Sequence, residues 1–180
     1  GESNSGSGDI FISKYNPDGT KDWTKLFGTE SWDYGNALTT GSDGSIYIAG
    51  YTNGELEGRS LIINGFVTGG DGRGSYDAFI SKFSPDGTKE WTRLFGSPNN
   101  DIANTITTGS DGSIYISGYT NGDLDGQINS GYNDAFISKY FSDGTKDWTR
   151  LLGSSASDYG EALTTGSDGS IYISGYTNGD

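Results

Sequence analysis

At 180 residues and a formal net charge of −13, the chain is long enough for one ordinary core, but too acidic for a nucleic-acid binder or a partner of anionic membranes, which call for a basic patch. It has no His and no Cys, which removes disulfides, thiolate zinc sites and Ser-His-Asp or Cys-His catalysis. Aromatic residues at 13%, with 31 glycines against 3 prolines, exclude the aromatic-poor composition of disordered chains and point to an all-β fold with many tight turns.

In chain order, residues 1–28 hold a strand around Phe11-Ile12-Ser13-Lys14, an Asp18-Gly19-Thr20-Lys21 turn and a strand bearing Trp23. They read as the outer half of a repeating unit. Residues 29–96 form a whole unit, with the same FISK and DGTK strings at Phe79 and Asp86 and then Trp91. Residues 97–153 form another, whose predicted strands are 103–108, 113–119, 134–140 and 146–151, with a long loop at 120–133. Residues 154–180 hold the inner half of a last unit. Thr107 to Gly122 recurs letter for letter from Thr164 to Gly179, and from Thr39 to Gly54 with Ala49 the one change. Phe79 lies 68 residues after Phe11 and Phe136 lies 57 after Phe79; the difference of 11 sits in a loop insertion at 55–76. Each DG pair marks a hairpin, because Gly accepts the positive φ such turns need.

Alternation sets the packing. Ile114 and Ile116 face one way and Tyr115 and Tyr119 the other, while Phe136 and Ile137 put apolar groups on both faces. A sheet apolar on both faces must be covered on both, and no helical pattern exists to do it, so copies of the sheet must cover one another. Four antiparallel strands per unit, stacked sheet on sheet, describe a β-propeller. A β-helix has a much shorter coil, and a plain sandwich would not repeat so literally. The strands are expected as 2, 4, 4 and 2, with both terminal blades split. Three blades' worth cannot close a ring, since propellers have about 4–8 blades. The expectation is either further repeats in a longer chain or a homodimer closing six blades.

The quoted strings carry a resemblance. Asp33-Tyr34-Gly35, Asp43-Gly44 with Ile46-Tyr47, Asp77 to Thr88, Asp134 to Lys139 and Asp158 to Gly160 resemble the bacterial β-propeller repeat family SBBP over nearly the whole chain. The resemblance implies an exported or cell-surface bacterial protein and supplies no catalytic residues. Ser84 to Trp91 also resembles an Asp-box turn, a structural element; sialidase chemistry would further need an arginine cluster, and the arginines are only Arg59, Arg73, Arg93 and Arg150.

Two candidate sites follow. Asn121, Asp123, Asp125 and Asn129, with Gly126, space oxygen donors as calcium loops do, and Asn53, Glu55 and Glu57 are the weaker counterpart in the first copy, which has Leu61 at the last position. Calcium is therefore the candidate cofactor; the bland alternative is an acidic loop of Asx turns. The GGDGRG string at Gly69 to Gly74 is read as a plain connection. Trp32, Asp33, Tyr34 and Asn36, with Asp101, Asn104, Asp158, Tyr159 and Glu161, begin the presumed inner strands and would face a ligand at the channel mouth. The expected function is a non-catalytic structural or interaction module, with a glycan or surface protein as partner. The alternative is a lectin-like propeller with one sugar site per blade.

Overall fold

The computed structural model describes residues 4–56, 61–63, 66–68 and 75–179, and among them every regular element is a β-strand. In chain order these are β1 (Ile10–Tyr15), β2 (Lys21–Phe27), β3 (Asp33–Thr40), β4 (Ile46–Thr52), β5 (Leu61–Ile63), β6 (Phe66–Thr68) and β7 (Asp77–Phe83). They continue as β8 (Lys89–Phe95), β9 (Asp101–Thr108), β10 (Ile114–Thr120), β11 (Asp134–Tyr140), β12 (Lys146–Leu152), β13 (Asp158–Thr165) and β14 (Ile171–Thr177). Two antiparallel sheets have four strands, β3-β4-β7-β8 and β9-β10-β11-β12, and β1-β2 and β13-β14 are two-stranded. The 55–76 segment, expected as a plain loop, carries the small hairpin β5-β6. The hairpin signal was present in the sequence as Asn64-Gly65 between two apolar runs. Glu57 and the Gly69 to Gly74 string lie outside the described residues.

The turns obey their local chemistry. Gly19, Gly44, Gly87, Gly112, Gly144 and Gly169 all have φ between 79° and 84°. The Asp before each glycine caps its turn. Asp43 Oδ1 accepts the Ser45 N–H at 2.9 Å, and Asp86 Oδ1 accepts the Thr88 N–H at 3.0 Å. These bonds favour the ionised carboxylate, and at Asp86, where the Ser84 hydroxyl adds the largest contribution, they lower its pKa to about 2.

The sheets stack as blades, each covering the next. Phe79 meets Phe27 of the preceding sheet edge-on at 6.3 Å, and Phe136 meets Phe95 in the same way at 5.6 Å. Ile80, one residue from Phe79 and on the opposite face, packs in the following cluster with Phe95 and Ala103. The outer-strand tryptophans join neighbouring blades too. Trp23 lies against Gly87 and Trp91 against Gly144, where even a Cβ would come within about 3.2 Å of the indole. Arg93 adds hydrogen bonds from Nε to the Gly144 carbonyl and from Nη2 to the Asp143 carbonyl, both 3.2 Å.

The innermost strands are held by a device that strand alternation hides. β3, β9 and β13 each contain a bulge, and the residue left out of the ladder is Asn36, Asn104 or Glu161. A bulge re-aims its extra side chain. Asn36 Nδ2 donates to the Ala103 carbonyl of the next blade at 2.9 Å, and Asn104 Nδ2 to the Gly160 carbonyl at 3.0 Å. Opposite each bulge stands Gly50, Gly118 or Gly175, where a Cβ would fall within 1.8 Å of a strand carbonyl oxygen, so only glycine fits.

Candidate functional site

The three aspartates expected at a channel mouth are buried and engaged within the chain. The backbone N–H groups of Thr29, Ser97 and Ser154 donate to Asp33, Asp101 and Asp158 at 2.6, 2.5 and 2.6 Å, and their hydroxyls donate to the same oxygens at 2.9–3.0 Å. Thr52 donates its hydroxyl to the other oxygen of Asp33 at 2.5 Å. Thr52, Thr120 and Thr177 each accept the N–H of the glycine two residues on, at 2.9–3.1 Å. This gives the Thr of each repeated Thr-Asn-Gly string its task. The knot ties the inter-blade loop to the ends of the two inner strands. It gives these aspartates a structural task, a role sequence position alone did not disclose.

Their environments differ. In the interior sheet, burial pushes Asp101 up to about 6, against the pull of the two hydrogen bonds from Ser97. Asp158 sits in the last sheet, where hydrogen bonds from Thr177 and Ser154 outweigh burial and hold it below the ordinary carboxylate value.

Beside the knots runs an aromatic row. Trp32 stacks on Tyr34 at 6.0 Å, Tyr34 on Tyr51 at 4.6 Å, and Tyr51 meets Tyr76 edge-on at 5.1 Å. Between the next blade and the last sheet, Tyr119 meets Tyr159 at 4.8 Å and Tyr159 stacks on Tyr176 at 4.6 Å, while Asn133 donates to the Tyr159 hydroxyl at 2.8 Å. Trp32, Tyr34 and Tyr159 were expected at this end, while Tyr51, Tyr76, Tyr119 and Tyr176 were not; for Tyr51, Tyr119 and Tyr176 the signal was the tyrosine of the repeated Gly-Tyr-Thr string. Trp32 is 49% exposed, and it lies over Gly8, where a Cβ would meet the indole at 2.8 Å. The equivalent positions of Trp32 and Tyr34 hold Asn100 and Ile102 in the following blade, so this end of the inner strands is not the same in every copy. Asn104 and Glu161 stand at the bulges of the inner strands, where Asn104 Nδ2 donates to Glu161 Oε1 at 3.4 Å.

The calcium-like loop does not gather its oxygens. Asp123 accepts the Asn129 N–H at 2.9 Å, and Asn129 spends its amide on the Thr120 carbonyl at 3.0 Å and the Gly131 N–H at 2.9 Å. Asp125, held at a positive φ of 51°, turns away to bond Lys146 and the Thr149 hydroxyl. Asn121 and Asn53 donate their N–H groups to the carbonyls of Asn100 and Trp32. Glu55 belongs to the weaker copy, whose Glu57 is outside the described residues. Among the described residues no three acidic side chains come together to hold a metal. The centre of the loop is instead apolar: Leu124, like Leu56 before it, is buried in the blade core. The melting midpoint is therefore expected to be the same in calcium and in chelator; a rise of several degrees with calcium would show that the loop rearranges around the ion.

A family model for the SBBP β-propeller repeat matches residues 22–57, 90–125 and 147–180. A regulatory protein of Caulobacter vibrioides, FlaEY, is 28% identical over 142 residues, which cover 77% of this chain and 15% of that protein. The match thus takes in only a small part of the relative's length.

Proposed function

Because the chain belongs to the SBBP β-propeller repeat family, we propose that it acts as a non-catalytic interaction module of an exported bacterial protein, engaging its partner through the exposed aromatic end of the inner strands. The observation that carries this reading is the division of labour among the side chains. The repeated aspartates are consumed by turns and loop knots, while Trp32 and Tyr34 stack in the open. Rigid aromatic surface that loses little side-chain entropy on binding is what recognition surfaces use. Away from that end the blades repeat nearly the same groups, whereas catalysis needs different groups converging. Export agrees with the acidic, cysteine-free composition and with the family resemblance.

A carbohydrate ligand is favoured by one feature, the Trp32–Tyr34–Tyr51 stack, on which a sugar ring could lie. A site in every blade is not supported, since Asn100 and Ile102 replace the stacking pair in the next blade. Screening the chain against bacterial surface glycans and surface-protein extracts tests the reading. Any binder found should lose at least tenfold in affinity on Trp32→Ala, with the circular dichroism spectrum unchanged. Binding that survives Trp32→Ala and Tyr34→Ala together would place the contact elsewhere.

A further inference from the structure

The repeated Thr-Asn-Gly string contains a reactive pair that neither the turns nor the aromatic end uses. An asparagine followed by glycine is open to attack by its own backbone, because glycine has no side chain to shield its nitrogen. The glycine nitrogen gives up its proton and bonds to the asparagine Cγ, and the side-chain nitrogen leaves as ammonia. Water then opens the cyclic imide to Asp or to the β-linked isoaspartate; no oxidant or reductant takes part. Two of the Asn-Gly pairs, Asn53-Gly54 and Asn121-Gly122, directly follow β4 and β10.

The folded loop withholds the nitrogen in both. The Gly54 N–H donates to Thr52 Oγ1 at 2.9 Å, and the Gly122 N–H to Thr120 Oγ1 at 3.1 Å. Both threonines are fully buried. The Thr120 hydroxyl donates in turn to the Gly122 carbonyl at 3.0 Å, which closes a local ring. The backbone is clamped from outside as well. A Cβ on Gly54 would lie 2.0 Å from Thr29 Oγ1, and one on Gly122 2.5 Å from Ser97 Oγ. The Asn53 and Asn121 N–H groups are spent on the carbonyls of Trp32 and Asn100, at 3.1 and 2.9 Å. A nitrogen whose proton is held, on a backbone pinned at both residues, is kept from closing the imide. The two side chains differ. Asn121 is exposed, so water can reach it, whereas Asn53 is half-buried with its Oδ1 enclosed.

We infer that Asn121-Gly122 is a latent deamidation site, locked by the Thr120 hydroxyl and released only when the loop between β10 and β11 opens. Local opening is the route by which buried backbone groups become reactive. Isoaspartate would lengthen the main chain by a methylene inside the knot, and either product adds a negative charge close to Asp123. Each event therefore weakens the closure that had prevented it, and leaves an irreversible record that this blade junction has opened. The inference is independent of what the aromatic end binds.

The test is incubation of the unmodified chain in warm, mildly alkaline buffer, with Asp and isoaspartate at residues 53 and 121 followed by peptide mapping and mass spectrometry. In the folded chain Asn121 should react at least about tenfold more slowly than in the chain unfolded in urea. Thr120→Ala should raise the folded rate at Asn121 about tenfold, the change in open population expected when a buried hydrogen bond is lost. Asn53, whose Thr52 is untouched, should keep its wild-type rate in the same molecules. Thr120→Ser retains the hydroxyl and should stay close to wild type at both sites. Equal rates at Asn121 in the folded and unfolded chain, or no change on Thr120→Ala, would overturn the inference. So would equal acceleration at Asn53 and Asn121, since general unfolding and not the Thr120 hydroxyl would then control the reaction.

Discussion

Phe79→Ala is expected to destabilise the chain by about 3–5 kcal/mol in urea unfolding, the usual cost of truncating a buried Phe. Phe79 is fully buried between blades, in one cluster with Ile10, Ile12, Phe27, Ile48 and Leu56. Alanine would leave a cavity that two stacked sheets cannot collapse around, because each sheet is fixed by its own ladder and by its other neighbour. A loss below about 1 kcal/mol would mean that the blades do not pack face to face as described. Phe11→Ala supplies the control. It alters the same position of the same repeat, yet Phe11 is exposed. In dilute monomer its effect should stay within about 0.5 kcal/mol, as for ordinary surface positions. If two copies associate, the cost should grow with protein concentration, because stabilisation by a partner follows mass action.

Asp101→Ala should cost about 2–4 kcal/mol, since it strands the buried Ser97 N–H and hydroxyl. Asp101→Asn should cost far less. An amide can still accept both Ser97 bonds through its oxygen. The acid form brings a pH signature. Burial raises Asp101 to about 6 in the folded chain, against about 3.9 for an unperturbed Asp. The folded state therefore holds this proton more tightly than the unfolded state. The associated stability is complete below pH ~4 and is lost as pH rises through about 6, an effect of up to about 3 kcal/mol at 1.36 kcal/mol per unit. Asp158, lowered by its hydrogen bonds, acts in the opposite sense: its contribution is present above the ordinary Asp pKa and fades as pH falls through its own lower value. Comparing wild type and Asp101→Asn by urea unfolding from pH 4 to pH 7 isolates the interior residue. Parallel stability curves for the two proteins would show that Asp101 titrates normally.

Much of the fold could be read from the chain because each turn carries its own local reason. The six DG turns have the positive φ their glycines imply, and Phe and Ile side by side on β7 do face two different blades. The insertion hairpin could be read in principle from Asn64-Gly65. Other features could not. The bulges at Asn36 and Asn104 leave a plausible alternation of apolar residues on either side, so nothing in the pattern says that one residue has left the ladder. Oxygen spacing in Asn121 to Asn129 suggested an ion because spacing carries no direction. Spacing also did not reveal that Leu124, at the centre of the loop, enters the core. Likewise, Asp33 and its counterparts stand at the starts of the inner strands as expected, but their carboxylates turn inward.

The literal identity of β10 and β14 also bears on how the chain reaches this structure. While the polypeptide is still unfolded, β11 can find the same seven-residue partner in either strand, 13 residues away in one direction and 30 in the other. Loop closure separates the two choices by less than about 1 kcal/mol, since each doubling of the loop costs only about 0.6 kcal/mol. Early pairing is then poorly discriminating, and correction waits for neighbouring blades to reward the native choice. Refolding from denaturant should accordingly show a slow, error-correcting phase that shortens when β14 alone is diversified in sequence. Copying a successful blade gives an interface already known to fit, and it also gives the folding chain decoys that fit just as well.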